Sequence, residues 1–191
     1  MISREKALEL LKSMPQTEAD MNHYLESEAI MRKLASKLNE DVEYWGMLGL
    51  LHDVDWALTR DNWQEHCTKA REILEKEGFD DNFIEIIQSH GYGYDAIPCF
   101  KDKKRTSRIE HCLAAAETLT GIIYAYALMR GKNISDMEAK GLGKKFKDKR
   151  FAANCDRNIV KEIELVGISL DEFFLLSIEA MKDIKSEIGL E

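Results

Sequence analysis

The chain of 191 residues is poor in the residues that break or staple a fold: Pro 2, Gly 11 and Cys 4. So little proline and glycine excludes a fibrous or low-complexity chain. The cysteines at 67, 99, 112 and 155 contain no Cys-x-x-Cys pair, which argues against a zinc ribbon or a dithiol redox motif, and they are expected to be reduced and mostly buried. Cys67 and Cys112 each follow a histidine, but adjacent residues on a helix point about 100° apart, which disfavours a Cys–His nucleophile. No uninterrupted apolar run is long enough to span a bilayer: the longest, around 113–129, is broken by Glu117, Thr118 and Thr120. The first residues, MISREK, lead into an amphipathic pattern rather than a secretory leader. A cytoplasmic protein without a membrane partner is the expectation.

Positive charge is also scarce overall. Lys+Arg 27 against Asp+Glu 35 leaves a formal net charge of -8, which argues against a general binder of nucleic-acid duplexes. The basic residues are uneven, however, with two clusters at 101–105 (KDKKR) and 144–150 (KKFKDKR) on an acidic body. Two cationic islands suit a small phosphate-bearing anion, for which Lys144, Lys145, Arg150 and Arg157 are the first candidates and Lys104 and Arg105 the second.

What is plentiful is helical periodicity; no stretch alternates like a strand. The spacing predicts an all-α fold. Ser3 caps a first helix to about Met14, Pro15 opens a second to about Leu38, and Asp41 starts an almost wholly apolar one, Val42–Leu51. Asp61 with Gln64 resembles a capping box for a helix ending before Gly78. Further helices run from Asp80 to Gly91, from Thr106 to Gly131, over 136–147 from a Ser135/Glu138 box, over 152–165, and over 170–187 from a Ser169/Glu172 box. With 45% hydrophobic residues the chain suffices for one domain, a core over about 16–130 with a helical extension over about 131–191. Phe173, Phe174, Leu175 and Leu176 make the last helix apolar enough to pack on the core or to pair with a second copy, so a homodimer is one expectation.

Five histidines carry the chemistry. His23 lies on a stripe with Ile30, Leu34 and Leu38; His52 and Asp53 close the apolar helix. His66 shares a stripe with Trp63, Ala70 and Ile73, and His90 with Phe83, Ile86 and Ile87. Glu117 stands in the most apolar part of the chain. Four histidines and two carboxylates are thus expected to point inward from five helices. An unpartnered buried carboxylate costs several kcal/mol or protonates, and two of them converging on imidazoles need a cation between them. The N/O donor set suits one or two divalent ions, with iron, manganese, zinc or cobalt ahead of calcium and magnesium also admissible, and no thiolate is expected to select a soft metal. His111 is six residues, about 240°, away from Glu117 on its helix and is expected to be structural or to support a ligand from behind.

This ordered set resembles the HD-domain metal-dependent phosphohydrolases over about 16–125. The segments 117–121 (ETLTG) and 144–152 (KKFKDKRFA) further resemble an uncharacterised bacterial branch of that superfamily. The resemblance implies a core of about five helices. It assigns one ion to His23, His52, Asp53 and Glu117, a second to His66 and His90, and a bridging role to Asp53, with His52 and Asp53 as the catalytic doublet. The family position of Glu117 is usually Asp, so its longer side chain must stand back or bind differently. The implied activity is hydrolysis of a phosphate ester or anhydride of a nucleotide or similar small metabolite by a metal-activated water. Alternatives are cleavage of a dinucleoside polyphosphate such as diadenosine tetraphosphate, a metal- and nucleotide-binding sensor without turnover, and, least favoured, an iron oxygenase. The segment 90–95 (HGYGYD) reads as a helix C-cap and loop, or as an aromatic lip over the pocket. Asp55 is a candidate acceptor for a ligand imidazole.

Overall fold

The first long helix is capped by Thr17 and not opened by Pro15. In the computed structural model, which describes residues 2–191, the Thr17 side chain accepts from Asp20 N at 3.2 Å while Thr17 N donates to the Asp20 carboxylate at 2.8 Å. This reciprocal box outweighs the preset φ of Pro15 as the start signal. Helix α1 (Arg4–Lys12) precedes it, capped by Ser3, and α2 itself runs Glu18–Leu38 to a left-handed Asn39. Helix α3 (Val42–Leu51), capped by Asp41, matches the expected span, and Trp45 through Leu51 are all buried. It packs most extensively on α2.

The expected helix from Asp61 to Gly78 is instead three pieces: α4 (Trp56–Thr59), a 3-10 turn at Trp63–Glu65, and α5 (Thr68–Lys76). The break is local. Cys67 takes a left-handed φ of 63°, which stops any helix running through His66, and Asp61 caps nothing. Helix α6 (Asp81–Gln88), capped by Asp80, tightens into a 3-10 turn at Ser89–Gly91. After the link at 92–107 comes α7 (Arg108–Met129), opened by a Ser107/Glu110 capping box one residue beyond the expected start. Helix α7 is long and apolar enough by length and composition to cross a membrane, yet 61% of its most apolar 18-residue stretch is buried inside the protein, against α2, α3, α6 and the C-terminal helices.

The last third forms α8 (Ala139–Lys147), α9 (Arg157–Lys161) continuing as a 3-10 turn to Val166, and α10 (Leu170–Asp183). The Ser135/Glu138 box does not form, because Glu138 is itself the N-cap of α8 and makes no side-chain cap bond. Phe173 and Phe174 are buried, so α10 turns its aromatic residues onto the core, and Leu175 is left exposed. No strand occurs among the described residues, and the fold is all-α.

Candidate metal centre

Two helices and two turns bring the histidines together. Helix α2 presents His23 from its second turn, α3 ends at His52 and Asp53, the link before α5 carries His66, and the turn after α6 carries His90. His66 and His90 therefore reach the site from turns, not from the helical stripes expected for them. The Asp53 carboxylate lies between two imidazole pairs. Its Oδ2 is 3.8 Å from His23 Nε2 and 3.6 Å from His52 Nε2, and its Oδ1 is 3.4 Å from His66 Nε2 and 3.1 Å from His90 Nε2.

The ring protons follow from the partners behind each imidazole. His52 Nδ1 donates to Gly49 O at 2.8 Å and His90 Nδ1 donates to Ile87 O at 2.6 Å, because a carbonyl can only accept. His66 Nδ1 donates to Asp55 Oδ1 at 3.1 Å, and the fully buried Asp55 uses its other oxygen to accept from Ala70 N at 3.1 Å. Thr120 gives its one hydroxyl proton to Glu117 O, so its oxygen accepts from His23 Nδ1 at 2.9 Å. With Nδ1 as the donor, all four rings turn Nε2 toward Asp53. His23 Nε2 and His52 Nε2 are 3.0 Å apart, and His66 Nε2 and His90 Nε2 are 3.2 Å apart.

Charge makes the same demand. Burial lowers the pKa of His23 and pulls that of His52 down to about 3, so this pair is neutral and two bare lone pairs face each other at 3.0 Å. That contact is repulsive unless a cation shares it. Two ligands about 2.1 Å from one ion and at right angles to each other stand about 3.0 Å apart, which is the spacing found. Burial alone would raise the Asp53 carboxyl, but His52, His90 and His66 outweigh it and hold Asp53 well below the usual carboxylate range. Burial works against charge on His66 as well, yet Asp55, Cys67 and Asp53 push it up to about 10, and Cys67 and Asp53 raise His90 in the same way. The pull on His66 and His90 toward the charged form shows that the pocket favours positive charge beside Asp53, which a divalent ion held by these residues would supply. The residues present fit such an ion.

Glu117 stands one step back. It lines a cavity of about 130 Å³ together with Asp53, Trp56, Trp63, His66, His90 and Tyr94, but its Oε1 accepts from Thr118 Oγ1 at 2.5 Å. The donors that gather within 4.8 Å of one another are His23, His52 and Asp53 in one group and His66, Cys67 and His90 in the other, and Glu117 belongs to neither. Burial pushes its carboxyl up to about 7. Gly91 is not a left-handed C-cap; Gly93 has the positive φ, at 85°, and Tyr94 beyond it lines the cavity.

Several expected residues lie elsewhere. Arg157 does not face the site: its guanidinium donates to the carbonyls of Phe146, Asp148, Phe151, Ala152 and Cys155 and so folds the chain between α8 and α9. Arg105 is likewise committed, to Glu162 and to the carbonyls of Ser89, His90 and Tyr92. Lys144 lines a separate cleft with Lys140, Lys147 and Lys161 that shares no residue with the metal cavity. Lys145 sits over the rings of Tyr126 and Phe151, and Arg150 is exposed and pairs with Asp148. Lys104 is exposed too. Cationic density marked these residues, but density does not say which of them have intramolecular acceptors within reach. His111 is structural, with Nδ1 2.7 Å from Glu162.

Sequence reasoning missed Thr120, Cys67 and the two tryptophans. Thr120 is one helical turn after Glu117, a usable signal. Helical geometry would point Cys67 away from His66, but its left-handed backbone turns it back.

The HD-domain family profile matches residues 21–122, which include His23, His52, Asp53, His66, His90 and Glu117. Among curated proteins the chain is similar to "Ribonuclease Y" of Sulfurovum sp. (strain NBC37-1), 25% identical over 173 residues that cover 87% of this chain and 32% of that protein. It is also similar to "Ribonuclease Y" of Mycoplasma mycoides, 30% identical over 98 residues that cover 51% of this chain and 21% of that protein. The chain spans about a third or less of the length of these relatives. No solved structure matches it. With more than half of its length matched by one profile, the chain belongs to the HD-domain family.

Proposed function

We propose that this HD domain is a metal-dependent phosphohydrolase that cleaves a phosphate ester or anhydride of a nucleotide or similar small phosphorylated metabolite. One observation carries the reading: two imidazole pairs present Nε2 to opposite oxygens of one half-buried carboxylate, that of Asp53. His23, His52 and Asp53 would hold one ion and His66, His90 and Asp53 the second, with Asp53 shared. Glu117 is the acid that α7 offers the first ion, and its carboxyl must leave the Thr118 hydroxyl to reach it.

Bound divalent ions supply Lewis-acid charge that lowers the pKa of a water and neutralises the phosphoryl oxygens. The protein does the rest by position. Asp55, Thr120 and the carbonyls of Gly49 and Ile87 fix ring orientation, which keeps each Nε2 free and aimed at the site. The cavity of about 130 Å³ has room for a phosphoryl group, and half-buried Trp56 and Tyr94 with the exposed face of Trp63 form an aromatic rim on which a base can stack.

A second reading, cleavage of RNA phosphodiesters, is favoured by the names of the similar proteins and by the same rim. The test is to load the protein with manganese, iron, cobalt, zinc or magnesium and assay mononucleotides, diadenosine tetraphosphate and a short single-stranded RNA. Phosphate release from nucleotides, lost by about a hundredfold or more in Asp53→Ala with the helices intact, supports the first reading. Cleavage of RNA alone supports the second, and turnover retained by Asp53→Ala refutes both.

A further inference from the structure

Beside His66 and His90 lies a group that the family pattern does not use. Cys67 is fully buried, and its Sγ is 3.5 Å from His90 Nε2. Its backbone sits in the left-handed region, φ 63°, which a residue with a Cβ rarely adopts without cause. The conformation turns a side chain that a continuous helix would point about 100° away from His66 back into the same cluster. Two further features hold it there. Gln88 Nε2 donates to Cys67 O at 3.0 Å, and Gly91 leaves the space the sulfur occupies, because a Cβ at that position would lie 2.7 Å from Sγ. Ile97 and Phe100 form a small buried apolar cluster with Cys67.

We propose that Cys67 is a thiolate ligand to the ion held by His66 and His90, a proposal that rests on the metal-centre reading above. The separations agree with one four-coordinate ion. A sulfur about 2.3 Å and a nitrogen about 2.05 Å from a tetrahedral centre are about 3.5 Å apart, and two such nitrogens about 3.3 Å apart. The measured values are 3.5 Å and 3.2 Å. On binding, the thiol gives up its proton to solvent and the sulfur lone pair forms the bond to the ion; no oxidant or reductant is involved. A thiolate in this set favours zinc, cobalt and ferrous iron over manganese and magnesium at the second position, so the two positions of the centre would differ in metal preference.

Cobalt(II) titration of the full metal-free chain tests this. The native protein is expected to show visible ligand-field bands together with a near-ultraviolet thiolate-to-cobalt charge-transfer band. Cys67→Ser should lose the charge-transfer band while keeping ligand-field absorption, and should bind zinc at least about tenfold more weakly while manganese binding changes less. Cys112→Ser, at a buried cysteine of α7, should keep the band. Zinc X-ray absorption on the native chain needs no variant and should show a sulfur scatterer at about 2.3 Å, averaging about one for every two zinc ions when both positions are filled. Ligand-field bands without charge transfer, a band that survives Cys67→Ser, or no sulfur scatterer would overturn the assignment of Cys67 and leave the centre standing. No cobalt or zinc uptake by the native chain would overturn the centre, and this assignment with it.

Discussion

Replacing Asp55 with asparagine perturbs the support behind His66 without changing its shape. Both Asp55 oxygens are in use: Oδ1 accepts from His66 Nδ1 at 3.1 Å and Oδ2 from Ala70 N at 3.1 Å. An amide keeps only one acceptor. If its NH₂ faces Ala70, a buried backbone donor is orphaned, at a cost of about 1–3 kcal/mol. If it faces His66, the imidazole must shift its proton to Nε2, where it occupies the lone pair aimed at Asp53 and His90. Either way the chain is expected to lose about 1–3 kcal/mol of stability or a comparable part of its affinity for the second ion. Loss of such a support typically weakens a metal by about 10–100-fold. Zinc binding to the metal-free protein, by competition with a chromophoric chelator, and urea unfolding would be measured on the same sample. An Asp55→Asn chain that binds both ions within about twofold of native and unfolds at the native midpoint refutes the reasoning.

Two further outcomes concern charge inside the fold. Glu26 is buried with Oε1 unpartnered, and burial raises its pKa well above the usual range. A raised carboxyl contributes stability that is present below its unfolded value of about 4.3 and lost as pH rises through the folded value. Glu26→Gln should therefore stabilise the chain by about 1–3 kcal/mol at pH 8 and little at pH 4, and an equal gain at both would contradict this. Glu162 runs the other way. Its partial burial would raise it, but Arg105 and His111 hold it below the usual range, so its contribution is present above about pH 4.3 and lost as pH falls through the folded value. Glu162→Gln is expected to cost about 1–3 kcal/mol at pH 7 and to loosen the turn of His90, whose carbonyl Arg105 holds; calorimetry at pH 7 and at about pH 2, below the folded value, should show the loss at the higher pH and little of it at the lower.

Much of this protein was legible in the order of its residues. Ser3, Asp41 and Asp80 cap the helices expected of them, Val42–Leu51 is the predicted buried helix, and of the six residues expected at one centre the structure gathers His23, His52, His66 and His90 around the carboxylate of Asp53 and leaves Glu117 a step back. These features are legible because a cap or a stripe is settled by partners within one or two turns, and because a buried acid among imidazoles needs a cation wherever the chain places it. The tertiary structure alone decided the rest. Whether Arg157 meets a phosphate or five carbonyls depends on how the chain between α8 and α9 folds, and a basic run reads the same in both cases. The left-handed turn at Cys67 belongs to no local pattern, yet it breaks the expected helix and brings a thiol to His90, 23 residues away. Contacts between residues so far apart are set by the packing of whole helices, and residue spacing along the chain carries no record of that packing.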